Sequence, residues 1–135
     1  MDRPFTEFLE KLHTAGLRPT RQRLALVRLL FEGGRSRHVT AEVLHEEARA
    51  SGFSISLATV YNALRQFTSA GLLREIVVDP GRTYFDTNVS QHHHFYYERD
   101  KKLVDIEDQE LEVTHLPGSP EGTSISRVDV VIRLR

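Results

Sequence analysis

The sequence predicts an α+β chain: an N-terminal winged helix-turn-helix over residues 1–88, then a small α/β or three-stranded domain over residues 89–135. Three observations carry this expectation. The first half shows apolar residues at helical spacing in successive segments, each closed by a cap or a glycine. A Pro-Gly turn between two β-type runs follows the last of these segments directly. The second half abandons helical spacing for short alternating runs and a Pro/Gly-rich loop.

Each element has a local reason. Phe5, Phe8, Leu9 and Leu12 form a helical stripe that ends near Gly16. Thr20 caps a second helix, Arg21–Phe31, whose buried side is Leu24, Val27, Leu30 and Phe31; Gly33 and Gly34 stop it. Thr40 caps a third helix carrying Ala41, Val43, Leu44 and Ala48, closed by Gly52. Ser56 caps a fourth, in which Val60, Ala63, Leu64 and Phe67 make one stripe while Tyr61, Asn62, Arg65 and Ser69 lie opposite. Gly71 ends it, since glycine accepts the left-handed conformation after a helix cheaply. Leu72–Val78 and Thr83–Thr87 then flank Asp79-Pro80-Gly81-Arg82, a type II turn signature. Helices followed by a hairpin in this order read as a winged helix-turn-helix with Arg82 at the wing tip. In the second half, His92–Glu98 and Leu103–Ile106 read as strands, and Val128–Leu134 as a half-buried C-terminal strand. Three strands make too small a core to stand alone, which predicts pairing of two copies across a two-fold axis.

Composition narrows the function. The 135 residues contain no cysteine, which excludes disulfides and thiolate metal sites. No apolar run is long enough to span a membrane, and the amphipathic start MDRPFTEFLEKLH is not a secretory signal, so a cytoplasmic protein is expected. The net charge of −1 conceals an asymmetry: six arginines against one acid in residues 18–37, nine acids against six bases in residues 91–135. The early basic cluster is the footprint of a polyanion binder. A helix face of Tyr61, Asn62 and Arg65 carries the groups that read base edges and phosphates, although an ordinary solvated face has the same look. His92-His93-His94 places two imidazoles on one side of a strand and one on the other, half of a four-ligand metal site or simply a polar strand edge.

Taken together, Gly16-Leu17-Arg18-Pro19-Thr20 with Arg23, His38-Val39-Thr40-Ala41-Glu42, Leu57-Ala58-Thr59-Val60-Tyr61, Ala70-Gly71-Leu72 and His92-His93-His94 resemble the ferric uptake regulator (Fur) superfamily of metalloregulators. The triple histidine, the lack of cysteine and the short second half resemble most the iron response regulator (Irr) branch, which senses haem status and controls haem synthesis and iron uptake. The resemblance implies a dimeric DNA-binding regulator of iron or haem homeostasis on palindromic promoter operators. It implies a metal site of His38, Asp86, His92, His94 and Asp105, a donor mixture suited to Fe(II), Zn(II) or Mn(II). His93 and Glu112 match what remains of a second cluster or a haem site. The family's Cys-x-x-Cys zinc site is missing, and its dimerisation-domain helix is replaced by the Pro/Gly loop.

The implied DNA-binding set is Arg18, Arg21, Arg23, Thr59, Tyr61, Asn62, Arg65 and Arg82. Tyr61 would meet a thymine methyl with its ring and supply a hydroxyl donor, Asn62 would pair with adenine, and Arg65 would reach phosphate or guanine. Arg18, Arg21 and Arg23 would anchor the backbone. Whether ligand activates or releases DNA binding stays open, as does a zinc- or manganese-responsive repressor of the broader superfamily. A metal-dependent hydrolase built on His92, His93 and His94 is the competing class; it lacks an HExxH pattern.

Overall fold

A computed structural model describes the backbone of residues 3–135 and the side chains from Thr6 onward. Phe5, expected in the first helical stripe, has its side chain outside the described residues. The chain divides into two compact units, Met1–Val89 and Ser90–Arg135.

The first unit holds α1 (Arg3–Thr14), α2 (Arg21–Phe31), β1 (His38–Val39), α3 (Ala41–Ala50), α4 (Leu57–Ser69), β2 (Arg74–Asp79) and β3 (Arg82–Asp86). The three expected caps are in place. The hydroxyls of Thr20, Thr40 and Ser56 accept from the backbone N–H of Arg23, Val43 and Thr59, each satisfying one orphan donor of a helix start. α4 ends in a Schellman closure: Gly71 sits at φ 86°, its N–H reaches the Thr68 carbonyl and Leu72 N–H reaches the Phe67 carbonyl.

One hydrophobic core serves this unit. Val60, Ala63, Leu64 and Phe67 of α4 are all buried, as their spacing predicts. α2 departs from expectation. Ala25, Leu26, Val27 and Leu30 are buried while Leu24 and Phe31 are only half-buried, because α2 is packed over a broader arc against both α1 and α3. On α3, Ala41, Leu44 and Ala48 are buried but Val43 is exposed.

The wing is larger than the hairpin read from sequence. β1, too short to leave a periodic signal, pairs antiparallel with β3 to give the order β1-β3-β2. Pro80 and Gly81 form the two-residue turn between Asp79 and Arg82, with Gly81 at φ 80° as a type II turn demands. β2 begins two residues later than expected, since Leu72 and Leu73 pack against the helical core instead of pairing.

The second unit is a three-stranded sheet of β4 (His93–Tyr97), β5 (Lys102–Ile106) and β6 (Val131–Leu134), in the order β5-β4-β6. No helix lies within it among the described residues, so the three-stranded alternative holds over the α/β one. β6 runs parallel to β4 and is shorter than the alternation over residues 128–134 suggests. Val128 and Val130 precede the ladder, held by Gln91 and by the backbone and ring of the histidine strand: Gln91 Nε2 donates to the Val128 carbonyl at 2.7 Å and His94 N–H to that of Val130 at 3.1 Å.

Candidate metal donors and nucleic-acid face

In the first unit, α4 presents Asn62 and Arg65 to solvent, with Thr59 and Tyr61 half-buried. Arg23, at the start of α2, reaches across to it. One terminal nitrogen donates to the Arg18 carbonyl at 2.7 Å and the other to Gln66 Oε1 at 2.9 Å. The result is a polar concavity of about 380 Å³ lined by Arg18, Thr20, Arg23, Thr59, Asn62 and Gln66. Four of the eight expected DNA-binding residues therefore share one surface. Arg21 lies apart from it, beside Phe53 in a neighbouring cleft. Arg65 is exposed on α4, and Arg82 is half-buried where the wing returns into β3. Tyr61 sends its hydroxyl to Glu42 of α3, 3.2 Å from each carboxylate oxygen.

The same unit holds two oxygen and nitrogen donors side by side. His38 and Asp86 are directly opposite in the β1–β3 ladder, and His38 Nε2 lies 3.1 Å from Asp86 Oδ2. Asp86 is fully buried on the middle strand, and its other oxygen accepts the Asn88 N–H at 2.8 Å. β1 is anchored by its neighbour Arg37. That guanidinium donates to the Leu29 carbonyl at the C-terminal turn of α2 and makes a two-pronged pair with Glu47 of α3, at 3.1 and 2.6 Å. On the other side Arg37 N–H donates to Thr87 Oγ1 and Thr87 N–H to the Arg37 carbonyl.

In the second unit, His92 and His94 are buried and their rings lie 4.5 Å apart. Both aim Nε2 at one oxygen of Asp105, at 3.4 and 3.2 Å. The β4–β5 register sets this, since His94 and Asp105 are direct partners. The Nδ1 of His92 lies 2.6 Å from the Ser90 carbonyl. A carbonyl only accepts, so Nδ1 carries the proton, and the Nε2 of a neutral ring is left as a lone pair facing a carboxylate oxygen. Two acceptors that close need a positive charge between them: a second proton or a cation. A divalent ion suits this set well, with neutral imidazole and carboxylate donors oriented by outer hydrogen bonds.

His93 turns to the opposite face, where its Nδ1 accepts the Val130 N–H at 3.1 Å and ties the C-terminal segment to β4. Glu112 is exposed in the stretch after β5. Among the described residues, neither belongs to a cluster of three or more metal-donor side chains. Sequence reasoning missed Glu42 as the partner of Tyr61, Gln66 as that of Arg23, and the Arg37–Glu47 pair. The first two join residues 19 and 43 positions apart on different helices, beyond the reach of any periodic signal. Arg37 belongs to a loop and Glu47 to a helix, a pairing no local spacing rule covers.

Among known proteins, the profile of the ferric uptake regulator family matches residues 14–132. The peroxide-responsive repressor PerR of Staphylococcus epidermidis is 32% identical over 112 residues, covering 83% of this chain and 73% of the relative. PerR of Staphylococcus aureus strain Mu50 is 33% identical over 105 residues, 78% of this chain and 70% of the relative. Two solved structures share the fold. The ferric uptake regulator of Pseudomonas aeruginosa with manganese superposes with a TM-score of 0.70 at 24% identity, covering 94% of this chain and 96% of that one. That of Vibrio cholerae superposes with a TM-score of 0.72 at 22% identity, covering 93% and 97%.

Proposed function

The chain belongs to the ferric uptake regulator family, and on that premise we propose that it is a homodimeric repressor whose hold on operator DNA is set by one divalent ion per chain. It is a metal-responsive transcription regulator and not an enzyme, which removes the hydrolase alternative. The proposed ligands are His38 and Asp86 from the first unit with His92, His94 and Asp105 from the second. The observation that carries the reading is the convergence of two buried imidazoles on one Asp105 oxygen, with His92 held in the metal-binding tautomer by Ser90. Fe(II), Mn(II) and Zn(II) all suit such donors. Ligation would draw on both units of the chain and bias a two-state element that carries α4.

The proposed DNA face is the Arg18–Arg23 segment with Thr59, Tyr61, Asn62 and Arg65 of α4, and Arg82 on the wing. Two copies would present two α4 helices to successive major grooves of a palindrome. The finer assignment, to iron and haem economy, rests on the resemblance of the triple histidine to the iron response regulator branch. In that version His92 and His94 would be the residues that hold haem, whose iron would supply the ligand response.

One titration tests these together. Purified protein is brought to equilibrium with Mn(II), Zn(II), Fe(II) under anaerobic conditions, or haem, and bound ligand is counted. One ion per chain in the wild type, lost in Asp105→Ala, supports the site. Undiminished metal binding in that variant removes it. A Soret band that disappears in His92→Ala with His94→Ala supports the haem version, and one that persists removes it.

A further inference from the structure

Tyr61 is one of the α4 residues that the sequence marks as a base contact, yet its hydroxyl is already engaged. The oxygen lies 3.2 Å from both carboxylate oxygens of Glu42. A carboxylate can only accept, so the phenolic hydrogen points at Glu42 and is shared between its two oxygens. The other end of the side chain is held as well, since the ring packs against the hydrophobic core of the first unit. Glu42 itself is exposed, in the first turn of α3 just past the Thr40 cap. Burial first, then the charge and the hydrogen bond of Glu42, push the phenol above its ordinary value, with Arg65 opposing, so the hydroxyl keeps its hydrogen at ordinary pH.

A free tyrosine hydroxyl in the major groove would donate to guanine O6 or N7, adenine N7 or thymine O4. A hydroxyl committed to Glu42 donates to none of them. The ring edge is then offered to an apolar base edge, the thymine methyl, while the hydroxyl oxygen is left able only to accept. An exposed carboxylate beside the reading helix also repels phosphate wherever the base contacts do not compensate.

Resting on the reading of α4 as the DNA-contacting helix, we propose that Glu42 is a positioning residue for sequence recognition. It fixes Tyr61 and removes its donor, biasing that contact toward a thymine methyl, and it suppresses binding to unrelated sequence by its charge.

The test uses full-length protein, in whichever of the apo and Mn(II)-loaded forms binds more tightly, on a duplex selected from a random pool and on a scrambled duplex. Tyr61→Phe should bind the selected duplex within about threefold of wild type. Replacing thymine by uracil at the contacted position should weaken both proteins alike. Tyr61→Ala should lose roughly tenfold or more. Glu42→Ala should lower the selected-to-scrambled ratio by roughly tenfold. Glu42→Gln, which keeps the acceptor and loses the charge, should tighten scrambled binding and keep the thymine preference. A Tyr61→Phe loss as large as that of Tyr61→Ala would overturn the proposal, and so would an unchanged ratio in Glu42→Ala. If Tyr61→Ala binds like wild type, the reading of α4 itself fails and this inference with it. Should Glu42→Ala not fold, Tyr61→Phe and Glu42→Gln decide the question between them.

Discussion

Asp86 shows how much one side chain is asked to do. It is fully buried, it faces His38 across the ladder, and it accepts a backbone N–H from Asn88. Asp86→Asn keeps its shape and removes its charge. Competition with a chelator should show metal affinity falling by at least about tenfold. Equal affinities would take Asp86 out of the ligand set. Arg23 is a second such residue. Its bonds to the Arg18 carbonyl and to Gln66 make it a brace between the start of α2 and α4. Arg23→Ala should weaken binding to every DNA sequence and flatten the salt dependence by about one unit of slope. Gln66→Ala should weaken binding without the change of slope, because it frees the brace but leaves the cation. An effect of Arg23→Ala confined to one base pair would contradict this placement. Tyr61 supplies a pH signature. Its phenol is raised when folded, so folding favours the neutral form. The stability it contributes is present below the unfolded value of about 10 and is lost as pH rises through the folded value. A tyrosine absorbance titration should show one late-ionising component that is missing in Tyr61→Phe.

Among the elements, α4 is where sequence and structure agree most closely, and the reason is physical. Its stripe is buried on one side only and its ends are closed by Ser56 and Gly71, so local rules suffice. Leu64→Ala should cost about 2–5 kcal/mol in denaturant unfolding, as for a fully buried leucine. Gly71→Ala should cost about 1 kcal/mol through backbone strain alone, since an added methyl would meet nothing within 4 Å. The wing was legible only in part. Its turn chemistry announced β2 and β3, but the two-residue β1 exists because β3 offers it an edge and Arg37 ties it down. Arg37→Ala strips the Leu29 carbonyl and Glu47 of their partner together. It should lower stability by about 1–2 kcal/mol, given that both side chains are about one third exposed. The pairing of His92, just before β4, with His94 on it follows from strand alternation. Its carboxylate partner does not, because β5 register decides which acid stands opposite His94, and only the family resemblance pointed to Asp105 beforehand.

At the scale of the whole molecule, the fold class was legible and the assembly is argued from what the small second unit leaves uncovered. Tyr97, Ile125 and Ile132 expose 39%, 47% and 36% of their surface, a large share for apolar groups in so small a unit. Pairing of two copies would cover them, as expected for a reader of two half-sites. Sedimentation should therefore find a dimer, and Ile132→Asp should shift it toward monomer. An unchanged association state would place the interface elsewhere. The proposed role of the ion, held by His38, Asp86, His92, His94 and Asp105, is to set the affinity for DNA. Its most direct test is anisotropy of a labelled, pool-selected duplex titrated with protein, with and without one equivalent of Mn(II), for wild type and for His92→Ala with His94→Ala. The ion should change wild-type affinity by about tenfold or more, a coupling of roughly 1.4 kcal/mol or above. The double variant should bind DNA like the metal-free wild type whether or not the ion is present. A wild-type affinity indifferent to bound ion, or a response that survives in the double variant, would contradict it.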